Sequence, residues 1–349
     1  MSCDFDLDWG DPDEPLRPVE LVGTRNGAFS GKVVVGSREP LRGLSAKVTD
    51  LRSVTGDVIG ASRVQVRWAL PDRSEGEASF RYPAVPAAFD ALEETPPDEV
   101  PVREKRLGRG TWVLPGQPPC VFGAVQPVWV TVNVPVDAKP GDYTATLAIT
   151  ASGERFDVPV SLAVSAWRLP DPGDFQVFTE LVQSPESVAM QYDVPFWSDA
   201  HFDLVAKSLD LLRAIGCRTT YLPLVAKTNM GNDESMVRWV KRPDGAWTHD
   251  FSILERYLDL VVAHQGRPQI VCVYVWDHHV EKGPVPVTTV DAGGAATEIE
   301  LPPYGDARSK ALWQPVIDGV RERLAKRGLA AAMMFGLAGD EIPSEETVS

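Results

Sequence analysis

Residues 331–341 read Ala331-Ala332-Met333-Met334-Phe335-Gly336-Leu337-Ala338-Gly339-Asp340-Glu341, an apolar run that breaks through a glycine into two adjacent carboxylates. A short apolar run bounded in this way reads as a buried strand that delivers the acid pair to its carboxyl end. That is where α/β folds hold their ligands. The same dipeptide recurs at Asp13-Glu14, Asp98-Glu99 and Asp233-Glu234, in polar surroundings where a solvated loop accounts for it. Only the pair at 340–341 follows an apolar strand, so it is the candidate for chemistry, and a charged loop after a core strand is the alternative.

Upstream of this strand, strands and helices alternate. Phe175 to Val182 is expected to be a strand. Ser198 or Asp199 can cap a helix with Phe202, Val205, Leu209 and Leu212 on one stripe, ended near Gly216. Thr219 to Val225 is the second strand, Asp250 caps a helix from Phe251 to His264, and Gln269 to Trp276 is the third strand. A long loop with a hairpin in Val285 to Leu301 precedes the helix Lys310 to Arg327, and Met333 to Leu337 closes the series as the fourth strand. Strand-helix repetition of this kind implies a parallel sheet of βαβ units. A (β/α)8 barrel takes about 250 residues, so residues 175–349 are expected to supply its first half. A complete four-stranded doubly wound domain is the competing reading, disfavoured because no helix follows the final strand.

The first half of the chain has a different period. Val128, Val130, Val132 and Val134 alternate with Trp129, Thr131 and Asn133; Tyr143, Ala145, Leu147 and Ile149 share one face, as do Phe156, Val158, Val160, Leu162 and Val164. Turn residues Ala138-Lys139-Pro140-Gly141-Asp142 and Ala151-Ser152-Gly153-Glu154 separate these runs. Period-two patterning over three consecutive strands predicts an antiparallel β-sandwich. The stiff linker Arg168 to Asp174 divides a sandwich domain, 1–168, from a partial barrel, 175–349.

Composition narrows the function. A net charge of -15 with interspersed charges offers no basic stripe for phosphates, which argues against a nucleic-acid partner. No segment approaches the roughly 18 apolar residues of a membrane span. Ten tryptophans are many for 349 residues, and carbohydrate-handling proteins use such rings as stacking platforms, although Trp is more often core. Cys3, Cys120, Cys217 and Cys272 lack metal-like spacing, and Cys217 and Cys272 read as free buried thiols. No signal-peptide-like region opens the sequence, and a chain trimmed of its leader would look the same, so the compartment stays open.

The strand ends supply the candidate groups: Glu180 and Gln183 after the first, Lys227 and Asn229 after the second, Trp276, Asp277, His278 and His279 after the third, and Asp340 and Glu341 after the fourth. Asp277 with the His pair does not form an expected metal site, because neighbours on extended chain point to opposite sides. There is no Gly-rich phosphate loop after a strand and no Gly-x-Ser-x-Gly elbow. Thus no metal and no cofactor is implied. Gly339 permits a twist or bulge that brings Asp340 and Glu341 into one pocket. There, repulsion and burial would separate their pKa values into an acid and an ionised partner, as glycosidic bond cleavage requires.

At this point the residues resemble a family. Arg25-Asn26 before a strand from Phe29 to Val35, Val48-Thr49-Asp50-Leu51, Pro140-Gly141-Asp142-Tyr143-Thr144 and Trp167-Arg168-Leu169-Pro170 are similar to elements of glycoside hydrolase family 123 and of related proteins of formerly unknown function. So are Asp250-Phe251, Trp313-Gln314-Pro315, Leu324-Ala325-Lys326-Arg327-Gly328 and the strand ending in Asp340-Glu341. The family shows Pro directly after the acid pair, whereas here Ile342 precedes Pro343. The resemblance implies an exo-acting β-N-acetylgalactosaminidase that uses the 2-acetamido oxygen of its substrate as nucleophile. It implies that Asp340 orients that group, that Glu341 is the general acid/base, and that the protein is extracellular or periplasmic. With Glu180, Asn229, Trp276, Asp277 and His278 as sugar contacts, the expected partner is a carbohydrate with an N-acetylated amino sugar. With half a barrel, the chain by itself is expected to be inactive. A carbohydrate-binding or surface-assembly protein that keeps the fold without the chemistry is the alternative.

Overall fold

Alternating β-branched residues build the first half of the chain as extended strands, and stripes of apolar residues at helical spacing build the second half. The computed structural model describes residues 16–71, 89–106, 120–281, 283–291, 293–336 and 343–345. The chain divides into one unit up to Pro170 and another from Asp171. No described helix is long and apolar enough to cross a membrane.

The first unit contains β1 (Val19–Arg25), β2 (Gly27–Ser37), β3 (Leu41–Arg42), β4 (Ser45–Val48), β5 (Leu51–Ser53), β6 (Val58–Ile59), β7 (Val64–Pro71), β8 (Phe89–Glu93), β9 (Glu99–Val100), β10 (Arg103–Arg106), β11 (Cys120–Val134), β12 (Gly141–Ala151) and β13 (Glu154–Arg168). One sheet runs β1-β13-β12-β5-β6 with β4 also on β12, and the other runs β10-β11-β7-β8 with β2 also on β11. The alternating valines of β11 and the inward residues Tyr143, Leu147, Val160 and Leu162 of β12 and β13 join one hydrophobic cluster, so the two sheets share a core. The turn after β11 therefore crosses between sheets, and of the three strands β11 to β13 only β12 and β13 pair with each other. The expected all-antiparallel pairing needs one correction, because β1 lies parallel to β13. No hairpin links these two strands, so nothing in the connection forces them antiparallel. Arg25-Asn26-Gly27 is a turn, with Asn26 at φ 63. It is tied to the end of the unit by the Leu169 N–H on Arg25 O at 3.0 Å and by Asn26 Nδ2 on Leu169 O at 3.1 Å.

In the second unit, β14 (Thr219–Pro223), β15 (Arg238–Lys241), β16 (Trp247–Asp250), β17 (Ile270–Tyr274), β18 (Val285–Val290), β19 (Ala296–Leu301) and β20 (Met333–Gly336) accompany the helices α1 (Pro185–Tyr192), α2 (Asp199–Ala214), α3 (Ser252–Leu260) and α4 (Ser309–Lys326). β14, β17 and β20 are parallel and adjacent in sequence order. The expected helices form, α2 with Phe202, Val205, Leu209 and Leu212 buried as expected. Ser198 Oγ accepts the His201 N–H at 3.2 Å to start α2, and Gly216, at φ 71, ends it. Phe202, Val205 and Leu209 of α2, Leu254 and Leu258 of α3, and Val316, Val320 and Leu324 of α4 pack with Leu222, Val271 and Val273 of the strands.

Several expectations are corrected. Phe175 to Val182 makes only one ladder contact, a bridge from Thr179 to Cys217, and Val177, Phe178, Leu181 and Val182 are exposed. The fourth strand is not buried, since Met334 and Phe335 are 53% and 56% exposed, and Leu337 lies outside the described residues. β20 pairs with β17 along one edge, which leaves these side chains without the cover that a second neighbour would bring. The helix expected to run to His264 has that extent, and what was not expected is its change from α-helix, up to Leu260, to π-helix over Val261–Gln265. The hairpin β18-β19 is present as expected, but the hairpin β15-β16 was not expected, nor its union with β18 and β19 into one sheet of order β16-β15-β18-β19.

Gly336 closes β20 where no side chain fits: a Cβ there would lie 2.3 Å from Cys272 Sγ. Gly336→Ala should therefore cost roughly 1–3 kcal/mol through overpacking. Cys272→Ala in the same chain should recover most of that loss. Urea denaturation of the two single variants and the double variant measures the coupling, and strictly additive losses would show that the two residues do not compete for this space.

Candidate functional site

The carboxyl ends of β14 and β17 converge on one buried carboxylate. Asp277 is 1% exposed. Its Oδ2 accepts the Tyr274 hydroxyl at 2.9 Å and the Asn229 backbone N–H at 2.7 Å, and its Oδ1 takes His278 Nδ1 at 2.6 Å. The three donors come from β17, from the loop after β14 and from the 3-10 turn His278–Val280. Asp277 and His278 are consecutive yet touch, because the extended chain turns at His278. The imidazole, whose side chain is 40% exposed, is thus held at the surface by a buried acid. The Asn229 amide lies 3.4 Å from the same imidazole nitrogen.

The loop that presents Asn229 is shaped by its own sequence. Lys227 takes φ 56, and the Lys227 N–H donates to Asn232 O at 2.7 Å. Buried Asn232 donates Nδ2 to Val225 O at 2.9 Å and to Glu234 O at 2.8 Å, and its Oδ1 accepts the Thr228 hydroxyl. Glu186 at the start of α1 is buried, and its two oxygens accept the backbone N–H groups of Asp233 (2.5 Å) and Glu234 (3.1 Å). Burial, opposed by those hydrogen bonds and aided by the charges of Glu234 and Asp233, pushes the Glu186 carboxyl up to about 7.

The other expected site residues fall into two further groups. Trp276 is 6% exposed, a member of the core rather than an open stacking surface, and its Nε1 donates to Glu281 Oε2 at 2.7 Å. Glu281 Oε1 also accepts the backbone N–H of Ser344 at 3.0 Å. Glu180 accepts the Tyr221 hydroxyl near Cys272, whose thiol burial and then Glu180 push up to about 11. Lys227 pairs with Glu298 at 2.8 Å, and Gln183 bonds Ser208. Asp340 and Glu341 lie outside the described residues, as does the His279 side chain. The structure brings Asn229, Asp277 and His278 together, and it joins neither Glu180 nor Trp276 to them by any hydrogen bond described. Tyr274, Glu281, Asn232 and Glu186 were missed. For Tyr274 a signal existed, since it stands two residues from Cys272 on the same face of an apolar strand. No group of three or more His, Cys, Asp or Glu side chains that could hold a metal occurs among the described residues.

Residues 183–348 match the family model for the catalytic domain of glycoside hydrolase 123. No curated protein matches the chain. The structure of a family 123 glycoside hydrolase from Clostridium perfringens, studied for glycolipid glycan hydrolysis, aligns with a TM-score of 0.71 at 16% identity over 98% of this chain, and is therefore similar in fold. The chain covers 58% of the length of that enzyme. The CooA pilin subunit from enterotoxigenic Escherichia coli aligns with a TM-score of 0.22 at 13% identity, over 44% of this chain and 92% of its own.

Glu186 makes stability fall as pH rises. Its folded pKa lies above the ordinary carboxyl value, so the folded state holds the proton more tightly, and the advantage present below about pH 4.5 is lost on passing through 7. The window is worth roughly 3 kcal/mol. His201, whose pKa burial lowers, has the opposite sign, so the comparison must be between parent and Glu186→Gln. Chemical denaturation at pH 5 and pH 8 should show a loss in the parent that the variant lacks; equal losses would remove Glu186 from this role.

Proposed function

We propose that the protein is a glycosidase of the glycoside hydrolase 123 type, an exo-acting β-N-acetylgalactosaminidase that works by substrate assistance. On this reading the first unit is a β-sandwich with a structural role and no catalytic group, and β14, β17 and β20 belong to a (β/α)8 barrel. The sequence order of those strands supports it, because a doubly wound sheet reverses its order at the ligand crevice. The match of residues 183–348 supports the class of reaction.

The observation that carries the reading is the convergence at the end of β17. A buried acid holds an exposed imidazole and an exposed Asn loop there, next to the strand whose continuation in sequence is Asp340-Glu341. Amide, imidazole and hydroxyl groups suit a neutral, hydroxyl-rich ligand, and Asn229 and His278 would bind the sugar. Asp340 would orient the 2-acetamido group and Glu341 would protonate the leaving oxygen. Two carboxyl groups that flank a scissile bond in retaining enzymes stand about 5 to 5.5 Å apart on opposite sides, with substrate-assisted enzymes a recognised exception. Consecutive residues from one strand end share a side of the sugar, so the attacking group must come from the substrate itself.

Hydrolysis of aryl 2-acetamido-2-deoxy-β-galactosides by the whole protein tests this. Glu341→Gln should slow a nitrophenyl substrate least, because that leaving group needs little protonation, and Asp340→Asn should slow all 2-acetamido substrates alike. Replacing the acetamido group by hydroxyl should abolish turnover. Equal cleavage of the 2-hydroxyl sugar, or losses below about a hundredfold in both variants, would leave the pair as a charged loop and favour a binding protein that keeps the fold.

A further inference from the structure

The first turn of α1 grips the loop that carries Asn229. Ser184, just ahead of the helix, donates its hydroxyl to Gly231 O at 2.9 Å, and Glu186 accepts the Asp233 N–H at 2.5 Å and the Glu234 N–H at 3.1 Å. Within the loop, the Lys227 N–H on Asn232 O at 2.7 Å and the Gly231 N–H on Thr228 O at 2.9 Å tie residues 227–232 into one body. The far side of that body is the Asn229 N–H on Asp277 Oδ2. Glu186 is 1% exposed, and among the described residues no cation forms an ion pair with it. Asp233 and Glu234 bring like charges, Arg238 is taken by Glu234, and Lys227 is taken by Glu298. From α2, His201 meets Pro185 O with Nε2 at 2.7 Å and accepts the Trp197 N–H on Nδ1 at 2.8 Å, which is the bonding of a neutral ring.

We propose that Glu186 is the positioning residue of the Asn229 loop, a buried latch whose hold on Asn229 beside Asp277 is strongest with the carboxyl protonated and weakens when it ionises. Its bearing on the site rests on the reading of Asn229 and His278 as sugar contacts. Two effects compete at this carboxyl. Charge-assisted hydrogen bonds from two backbone donors favour the ionised form. Removal from water and the adjacent charges of Asp233 and Glu234 oppose it, and they win, carrying Glu186 up to about 7. Once the loop lifts away, the carboxyl meets water and returns toward its ordinary value. The closed loop therefore holds the proton more tightly than the open one. By linkage the latch is at full strength below about pH 4.5 and weakens as pH rises through 7. Ser184 carries no charge, so its share of the grip does not follow pH.

Amide hydrogen exchange in the whole chain, with the pH dependence of the chemical step divided out, reads the latch without reference to activity. Between pH 5 and pH 8, protection of the Asn229, Asp233 and Glu234 amides is expected to fall about tenfold or more and to stay below that of Val271 and Val273 in β17, so that the loop opens without the sheet. Glu186→Gln should abolish the fall. Ser184→Ala should lower protection of the three amides at both pH values alike and keep the fall. An equal fall in Glu186→Gln would overturn the proposal. So would loop amides in the parent as strongly protected as those of β17, since the loop would then open only with the whole unit. Should Glu186→Gln fail to fold, the Glu186 carboxyl resonance of the parent decides: it must titrate where the fall levels off, and a midpoint in the ordinary carboxyl range would overturn the latch. Free N-acetylgalactosamine titrated into the parent should shift the resonances of Asn229 and His278. If it shifts neither, the reading of those residues as sugar contacts falls, and the exchange data still decide the latch.

Discussion

A carboxylate buried at a strand end is tolerated only where donors converge on it, since each unmet polar group costs on the order of 1–3 kcal/mol. Asp277 meets this condition with donors from three separate elements: Tyr274 in β17, the Asn229 backbone in the loop after β14, and His278 in the turn that follows. Movement of any of the three removes a donor from the buried acid. The loop, the strand end and the turn are therefore one mechanical unit, and the exposed imidazole inherits a fixed orientation from a residue that never reaches solvent.

The loop needs support from the other direction as well. Asn232 occupies the interior of the loop, Glu186 accepts two of its backbone N–H groups, and Glu234 takes the Trp197 indole at 2.6 Å and pairs with Arg238. Arg238 opens β15, so the same contacts reach the sheet formed by the two hairpins. Within that sheet Trp239 of β15 lies edge-on to its cross-strand partner His249 at 4.5 Å, and it also meets Trp313 of α4 at 5.5 Å. The Nε1 atoms of Trp239 and Trp313 have no hydrogen-bond partner among the described residues.

The sequence was most legible where a single period decides the outcome. α2, α3 and α4 carry their cores at helical spacing, β11 to β13 alternate strictly, and each was readable from its own residues. Many of the motifs behind the family resemblance prove to be scaffold. Asp250 accepts the Ser252 N–H at 2.9 Å to start α3, Arg327 binds Asp259 at 2.7 Å, and the Phe251 ring fills the space against which Gly319 must stay small. Illegible were the features that depend on distant partners. The pairing of β15 with β18 joins two loops fifty positions apart, and the exposure of Met334 depends on which strands flank β20. Asp277 and His278 were named as candidates, but their mutual contact could not be read from an extended-chain picture, because the 3-10 turn that creates it leaves no periodic trace in three residues.

The tryptophans argue about specificity. Their number pointed to stacking on sugar rings, yet among the described residues Trp68, Trp239, Trp276 and Trp313 are buried in cores. On the proposed reading, recognition by the described residues then falls to short polar groups held rigidly in place. Apolar platforms discriminate weakly, since a methylene more or less in an apolar pocket is worth only about 1–3 kcal/mol, whereas a site built to hydrogen-bond a particular group can reject its absence by about 10⁴-fold or more. A site of the second kind must have its polar atoms fixed before the ligand arrives. On the proposed reading, the three-donor burial of Asp277 supplies that fixity, with a carboxylate that is itself 1% exposed.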